Sequence, residues 1–190
     1  MKLCILSDSH DNRRLLDHAV EDAKARGAEA VLHCGDVVAP TTLRVLQKHG
    51  LPVHVVHGNN TGDLYSLGKL SCEPSSVVQY HGPDAALEFA GKKIFMVHYP
   101  LYARGMATTG DWDIVCCGHE HHSEVTWIKN VKGGQSLLLN PGTVGVQRLR
   151  NKFGGRTSHT VARSHHRKAG GKGIRLALQQ LEKAGLVKKE

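Results

Sequence analysis

The sequence contains no apolar run long enough to cross a bilayer. The short apolar run behind Lys2 cannot serve as a secretory signal, so neither membrane insertion nor export is expected. The five cysteines are an odd number, with neither metal-knuckle spacing nor the regularity of a disulfide framework. Cys4 and Cys34 fall inside apolar strand-like runs, where a small buried hydrophobe is expected. The adjacent Cys116 and Cys117 should turn at least one thiol toward the core. A reduced, cytoplasmic setting suits this usage best. Internal repeats are absent, and 190 residues make one ordinary domain, or one domain plus an appendage.

Acid is scarce in one place only. Residues 1–146 carry 13 Lys and Arg against 15 Asp and Glu, a net −2, whereas residues 147–190 carry 12 basic residues and only Glu182 and Glu190, a net +10. The whole excess of +8 therefore sits in the tail, and the break marks a boundary.

Before the break, residues 2–7 read as a buried strand ending in polar groups. Residues 12–26 carry apolar positions 15, 16, 19, 20 and 23, a helical stripe, with Gly27 placed to end it. Residues 30–34 form a second strand, Pro40 and Thr41 open a helix closed by Gly50, and residues 53–56 form a third strand. Such alternation predicts parallel βαβ units. Residues 60–85, punctuated by Gly62, Gly68, Pro74, Gly82 and Pro83, read as a long loop region. Further strands are expected at 88–90, 93–98, 114–117, 124–129 and 136–140, with a hairpin at Gly91-Lys92 and a turn at Gly133-Gly134. The fold class is α/β, a β-sandwich flanked by helices.

Asp8 and His10 follow the first strand, Gly35-Asp36 the second and Gly58-Asn59-Asn60 the third. His98 ends a later strand, and Gly118-His119-Glu120-His121 follows another. Each candidate lies just past a strand's carboxyl end, where open α/β sheets collect ligands. The preceding glycines should permit sharp turns. Two divalent cations about 3.5–4 Å apart need a bridging carboxylate and further N and O donors. Carboxylate, amide and imidazole together suit Mn, Fe, Co, Ni or Zn, and the lack of thiolates argues against a structural zinc. A lone Asp or His is more often a cap or a satisfied core group, which is the expectation for His18, His33, His49, His54 and His81, and for Asp11 as a helix N-cap. For the ordered set that reading would strand several ionisable groups at one mouth.

These five ordered blocks, with Asn140-Pro141-Gly142 beyond them, resemble the signature of the calcineurin-like metallophosphoesterases. The short spacings are similar to those of the small single-domain phosphodiesterase branch. The resemblance covers about residues 1–145. It implies that Asp8, His10 and His121 hold one metal, that Asn59, His98 and His119 hold a second, and that Asp36 bridges them. It also implies a metal-activated water that attacks a small phosphodiester, with manganese the foremost metal. Many relatives place a proton-donating His and then Asp after the Asn. Here Asn60 and Thr61 stand there, so Asn60 is expected to contact a phosphate oxygen without supplying a proton. His57 and His122 are candidate substitutes, and a phosphomonoesterase becomes the weaker alternative. The retromer scaffold subunit resembles this fold without an intact metal set, which the residues here retain.

After Gly145 two strands usual in the family are missing. Residues 149–156 and 174–187 resemble instead part of a winged-helix small-subunit ribosomal protein, number nineteen in the eukaryotic naming. An amphipathic helix is expected from Ile174, with apolar positions 174, 177, 178, 181 and 184 and Gly185 at its end. The expected division is a metallophosphoesterase domain at 1–145 and a basic, partly helical extension at 146–190. The +10 extension would contact RNA through phosphates, or be a basic appendage without a role of its own.

Overall fold

In the computed structural model, residues 1–145 are described. The expected helix from Ile174 and the rest of the extension lie outside them. The first strand, β1 (Leu3–Leu6), leads through α1 (Arg13–Ala25) to β2 (Ala30–His33). A 3-10 helix (Pro40–His49) connects to β3 (Val53–Val55), and α2 (Leu64–Cys72) to β4 (Val78–Tyr80). These four strands pair in sequence order, all parallel. The second sheet holds β5 (Asp84–Phe89), β6 (Lys92–Val97), β7 (Ile114–Cys116), β8 (Ser123–Lys129) and β9 (Gln135–Pro141), in the order β5-β6-β7-β9-β8. Its centre is parallel, and antiparallel hairpins close both sides. Helix α3 (Pro100–Thr109) joins β6 to β7.

Alternation along the strands sorts the side chains into three packed layers. Cys4, Leu6, Val31, Val53 and Val55 meet Leu16, Val20, Leu43 and Leu46 of the helices. Ile5, Leu32 and Val56 face the second sheet through Ile94, Met96, Leu137 and Leu139. Phe95, Val97, Val115 and Leu138 turn the other way onto Ala103 and Ala107 of α3. The result is helix, sheet, sheet, helix. Cys116 and Cys117 both enter cores, on opposite faces of the second sheet.

Local chemistry accounts for most boundaries. Asn12 caps α1 by accepting from the Leu15 N–H, a bond contributing about 1 kcal/mol. The segment 40–49 closes by i→i+3 bonds such as Gly50 N–H to Gln47 C=O. Its buried Leu43, Leu46 and His49 recur every three residues, the period of the tighter 3-10 turn. Residues 60–85 depart from the loop expected there. Asp63 accepts from the Ser66 N–H and Oγ to start α2, which the glycines and Pro74 had obscured. Helix α3 also went unexpected, although Pro100 sits at its first turn and Gly110 (φ 74°) ends it.

Candidate metal centre

Parallel strands β1, β2, β3, β6 and β7 point their carboxyl ends to one edge of the sandwich. The loops that follow bring Asp8, His10, Asp36, Asn59, His98, His119 and His121 together there. Asp8, Asp36 and His98 are fully buried, and His10 and His121 are partly buried. Two groups of donors lie close enough to share an ion: Asp8, His10 and His121, and Asp8, Asp36 and His98.

The distances trace a continuous line of donors. His10 Nε2 lies 3.1 Å from His121 Nε2, and His121 Nε2 lies 3.1 Å from Asp8 Oδ1. Asp36 faces both ways, its Oδ2 3.7 Å from His10 Nε2 and its Oδ1 3.3 Å from His98 Nε2. On the far side Asn59 Oδ1 is 3.0 Å from His98 Nε2 and 2.8 Å from His119 Nδ1.

These residues fit divalent cations. Asp8 Oδ1 is buried and accepts no hydrogen bond although an imidazole nitrogen is nearby. A buried carboxylate oxygen in that state costs several kcal/mol unless a cation or proton satisfies it. Two imidazole nitrogens in contact can share only one proton between them. Oxygen and nitrogen donors without sulfur suit the borderline transition metals.

The backbone is bent to make this possible. Asp8 (φ 55°), His10 (φ 42°), Asp36 (φ 57°), His119 (φ 74°) and His121 (φ 57°) all occupy the left-handed region. Such residues concentrate at functional sites because only surrounding structure can hold them there. The glycines act differently from the turn role expected of them. Gly35 does take φ 99°, but Gly58 and Gly118 serve close approach. A Cβ at Gly58 would strike Asp36 Oδ1, and one at Gly118 would strike Ser7 Oγ.

A supporting layer holds the donors. Asn60 donates from its backbone N–H to Asp36 Oδ1 at 2.9 Å and from Nδ2 to Asp36 Oδ2 at 2.5 Å. Burial by itself raises the Asp36 carboxyl, but these bonds and the nearby His98 and His10 outweigh it and hold the group below its ordinary range. Asn140 donates to the Gly118 carbonyl, fixing the turn into His119. Thr143 Oγ1 and Gly145 N–H both donate to the Asp8 carbonyl, and Asn12 Nδ2 donates to the Gly145 carbonyl. Apart from Asn60, Asn140 and the Gly145 joint, these supports were not singled out from sequence. Polar residues that brace a backbone carbonyl leave no spacing signal.

The other histidines divide. His49 pairs with Asp17 at 2.8 Å and His54 with His81 at 3.0 Å, as satisfied groups should. His33 is wholly buried beneath the site, 3.1 Å from Ser9 Oγ, and burial and then His98 lower its pKa to about 3. His18 instead lies on the surface facing Glu21. Asp11 does not cap α1, the role expected of it. Its Oδ1 accepts from Ala39 N–H and Thr42 Oγ1 at the start of the 3-10 helix. His57 is engaged with Tyr80 Oη at 2.6 Å, and the exposed His122 turns to Glu120.

The chain is similar to known proteins. A phosphodiesterase of Methanocaldococcus jannaschii is 26% identical over 144 residues, 75% of this chain and 83% of that protein. The solved structure of an archaeal phosphodiesterase superposes with a TM-score of 0.66 at 25% identity, covering 75% of this chain and 84% of that one. A separate similarity joins the chain to the small ribosomal subunit protein eS19 of Aeropyrum pernix. It is 46% identical over 55 residues, 29% of this chain, and spans only 36% of that protein. This accords with the ribosomal resemblance read in the extension. The pattern of the calcineurin-like phosphoesterase superfamily domain matches residues 1–163, and the chain belongs to that metal-dependent family.

Proposed function

We propose that the chain hydrolyses small phosphodiesters with two divalent transition metal ions, manganese foremost and nickel, cobalt, iron or zinc as alternatives. Asp8, His10 and His121 would hold one ion, Asn59, His98 and His119 the other, with Asp36 between. One observation carries this reading: Asp36 presents one oxygen toward His10 and the other toward His98. When bound, two divalent cations supply Lewis acidity, lowering the pKa of water at the site and offsetting charge on the phosphoryl group.

The chain's own residues do the rest. Asp36, kept ionised, offers negative charge to both sides at once. Asn60 holds that carboxylate, and its second amide hydrogen, unpaired among the described residues, can meet a phosphoryl oxygen, the contact expected of it. An amide cannot protonate a departing alkoxide, which favours diesters with good leaving groups over monoesters and poor ones. Identity to a phosphodiesterase supports the same preference. The five free cysteines suit a reducing cytoplasm. The +10 charge of residues 147–190 and the similarity to eS19 support a separable basic extension able to contact RNA phosphates.

The test combines metal analysis with a screen of mono- and diesters. Two ions per chain and diester cleavage are expected. Asp36→Asn should abolish both, whereas His119→Ala should weaken one site only. Less than one ion bound with Mn²⁺ supplied, together with no diesterase activity, would sink this reading.

A further inference from the structure

Three of the exposed large apolar side chains stand within four residues, immediately after the buried His98. They are Tyr99 (44% exposed), Leu101 (85%) and Tyr102 (46%). Burying such groups is favourable, so a cluster of them beside a polar site is a surface awaiting an apolar contact. Tyr99 is the inner member. Its ring lies 5.3 Å from the His98 ring, edge to face at 78°, and 5.4 Å from the His119 ring at 58°. It thus flanks the two imidazoles that meet Asn59 Oδ1.

The platform is fixed rather than floppy. Tyr99 is the residue before Pro100, whose ring sets the first turn of α3, and Ala103 and Ala107 bury that helix against the second sheet. Tyr102, one turn on, has its own ring braced edge-to-face on Phe95 at 5.8 Å. Neither phenol oxygen takes a hydrogen bond within the described protein that would explain its position. A fixed aromatic face offers stacking to any planar ring, with an ordering cost already met by the fold.

We propose that Tyr99 is a specificity-determining residue that stacks on a planar aromatic ester group. The substrates of the site would then be phosphodiesters bearing a nucleoside or an aryl group rather than simple alkyl diesters. Tyr99 touches the rings beside Asn59, so a phosphoryl group at the donors would carry one ester substituent out over its face. Leu101 and Tyr102 extend the apolar surface beyond it for the remainder of that substituent. This inference rests on the phosphodiesterase reading of the site.

The full-length protein with Mn²⁺ is titrated calorimetrically with adenosine 5′-monophosphate, phenyl phosphate and ribose 5-phosphate, which share a phosphate and differ in the ring. Base–aromatic stacking of about 1–3 kcal/mol predicts that adenosine monophosphate binds about 5- to 150-fold more tightly than ribose 5-phosphate. Tyr99→Ala should erase that margin while leaving ribose 5-phosphate binding unchanged, and Tyr99→Phe should retain it. Because Tyr99 is half exposed, matched melting temperatures will show that the variants fold. Phenyl phosphate binding as tightly as the nucleotide would support the aryl class, and binding like ribose 5-phosphate would support the nucleoside. Equal affinity for all three ligands, a margin that survives Tyr99→Ala, or no detectable nucleotide binding would overturn the proposal. Binding without turnover of any diester would instead remove the phosphodiesterase reading and leave Tyr99 as a nucleotide contact.

Discussion

Asn60 holds Asp36 at both carboxylate oxygens, one with its backbone N–H at 2.9 Å and the other with its side-chain amide at 2.5 Å. The bond from the side chain can be deleted without touching a proposed metal donor. Asn60→Ala should loosen Asp36, leaving it only the backbone bond, and should lower both metal affinity and kcat by roughly 10–100-fold, the usual effect of losing an orienting partner. Calorimetric titration with Mn²⁺ measures the first and steady-state rates the second. Unchanged metal affinity would mean that Asp36 is positioned by the backbone bond alone.

Leaving-group chemistry gives a second outcome. With no proton donor at residue 60, the rate should fall steeply as the leaving-group pKa rises across a series of aryl methyl phosphodiesters. Asn60→His should flatten that slope, most for the poorest leaving groups. A wild-type slope already flat would point to His57 or His122 as the proton source.

Stability should depend on pH through His33. Burial keeps it neutral down to about 3, whereas in the unfolded chain it takes up a proton near 6.5. Between those values the unfolded chain binds a proton that the folded chain refuses. The contribution is fully present above about 6.5 and is lost as the pH falls toward 3, by up to about 1.4 kcal/mol per pH unit. His54 and His81, lowered by burial, act in the same direction. Urea midpoints of the metal-free protein, measured from pH 7.5 to 5 for wild type and His33→Asn, should diverge on acidification, wild type losing more. Parallel curves would assign the acid sensitivity elsewhere.

Truncation should discriminate between two cuts three residues apart. Thr143, Val144 and Gly145 bond back to the carbonyls of Ser7 and Asp8, and Gly145 accepts from Asn12. Ending the chain after Gly145 keeps those four bonds and should preserve metal content and rate, while removing salt-sensitive RNA affinity. Ending it after Gly142 removes all four, each contributing about 1 kcal/mol, and should impair metal binding through the loop at Asp8. Loss of metal in the longer fragment would show that the extension completes the domain.

Much of the grouping of candidate donors was legible because Asp, His and Asn offer the oxygen and nitrogen atoms a metal takes and here follow the strands in order. The parallel half was legible from Leu3 through Val55 because buried parallel strands are short apolar runs between helical stripes. The second helix was hidden because Gly62, Gly68 and Pro74 outweighed one informative pair, Asp63 and Ser66. For α3 half of the ten residues are Ala, Gly or Thr, with only Ala103 and Ala107 buried, so it carries no strong stripe. Asp11 was misplaced because a cap next to one helix in sequence can serve another across space. The left-handed donors could not have been read at all, since Asp and His at φ > 0 are imposed by their surroundings.

Those left-handed donors carry an implication for how such a site could be lost. Each costs up to about 1–3 kcal/mol over an ordinary conformation, Asp at the lower end. None contributes to the three packed layers, which lie along the strands below. A lineage no longer selected for metal binding could exchange Asp8, His10 or His121 for glycine and relax the loops while every core contact survived. The proposed chemistry and the packed core thus rest on separate residues, and the sandwich could outlast the candidate site as a more stable, inert surface.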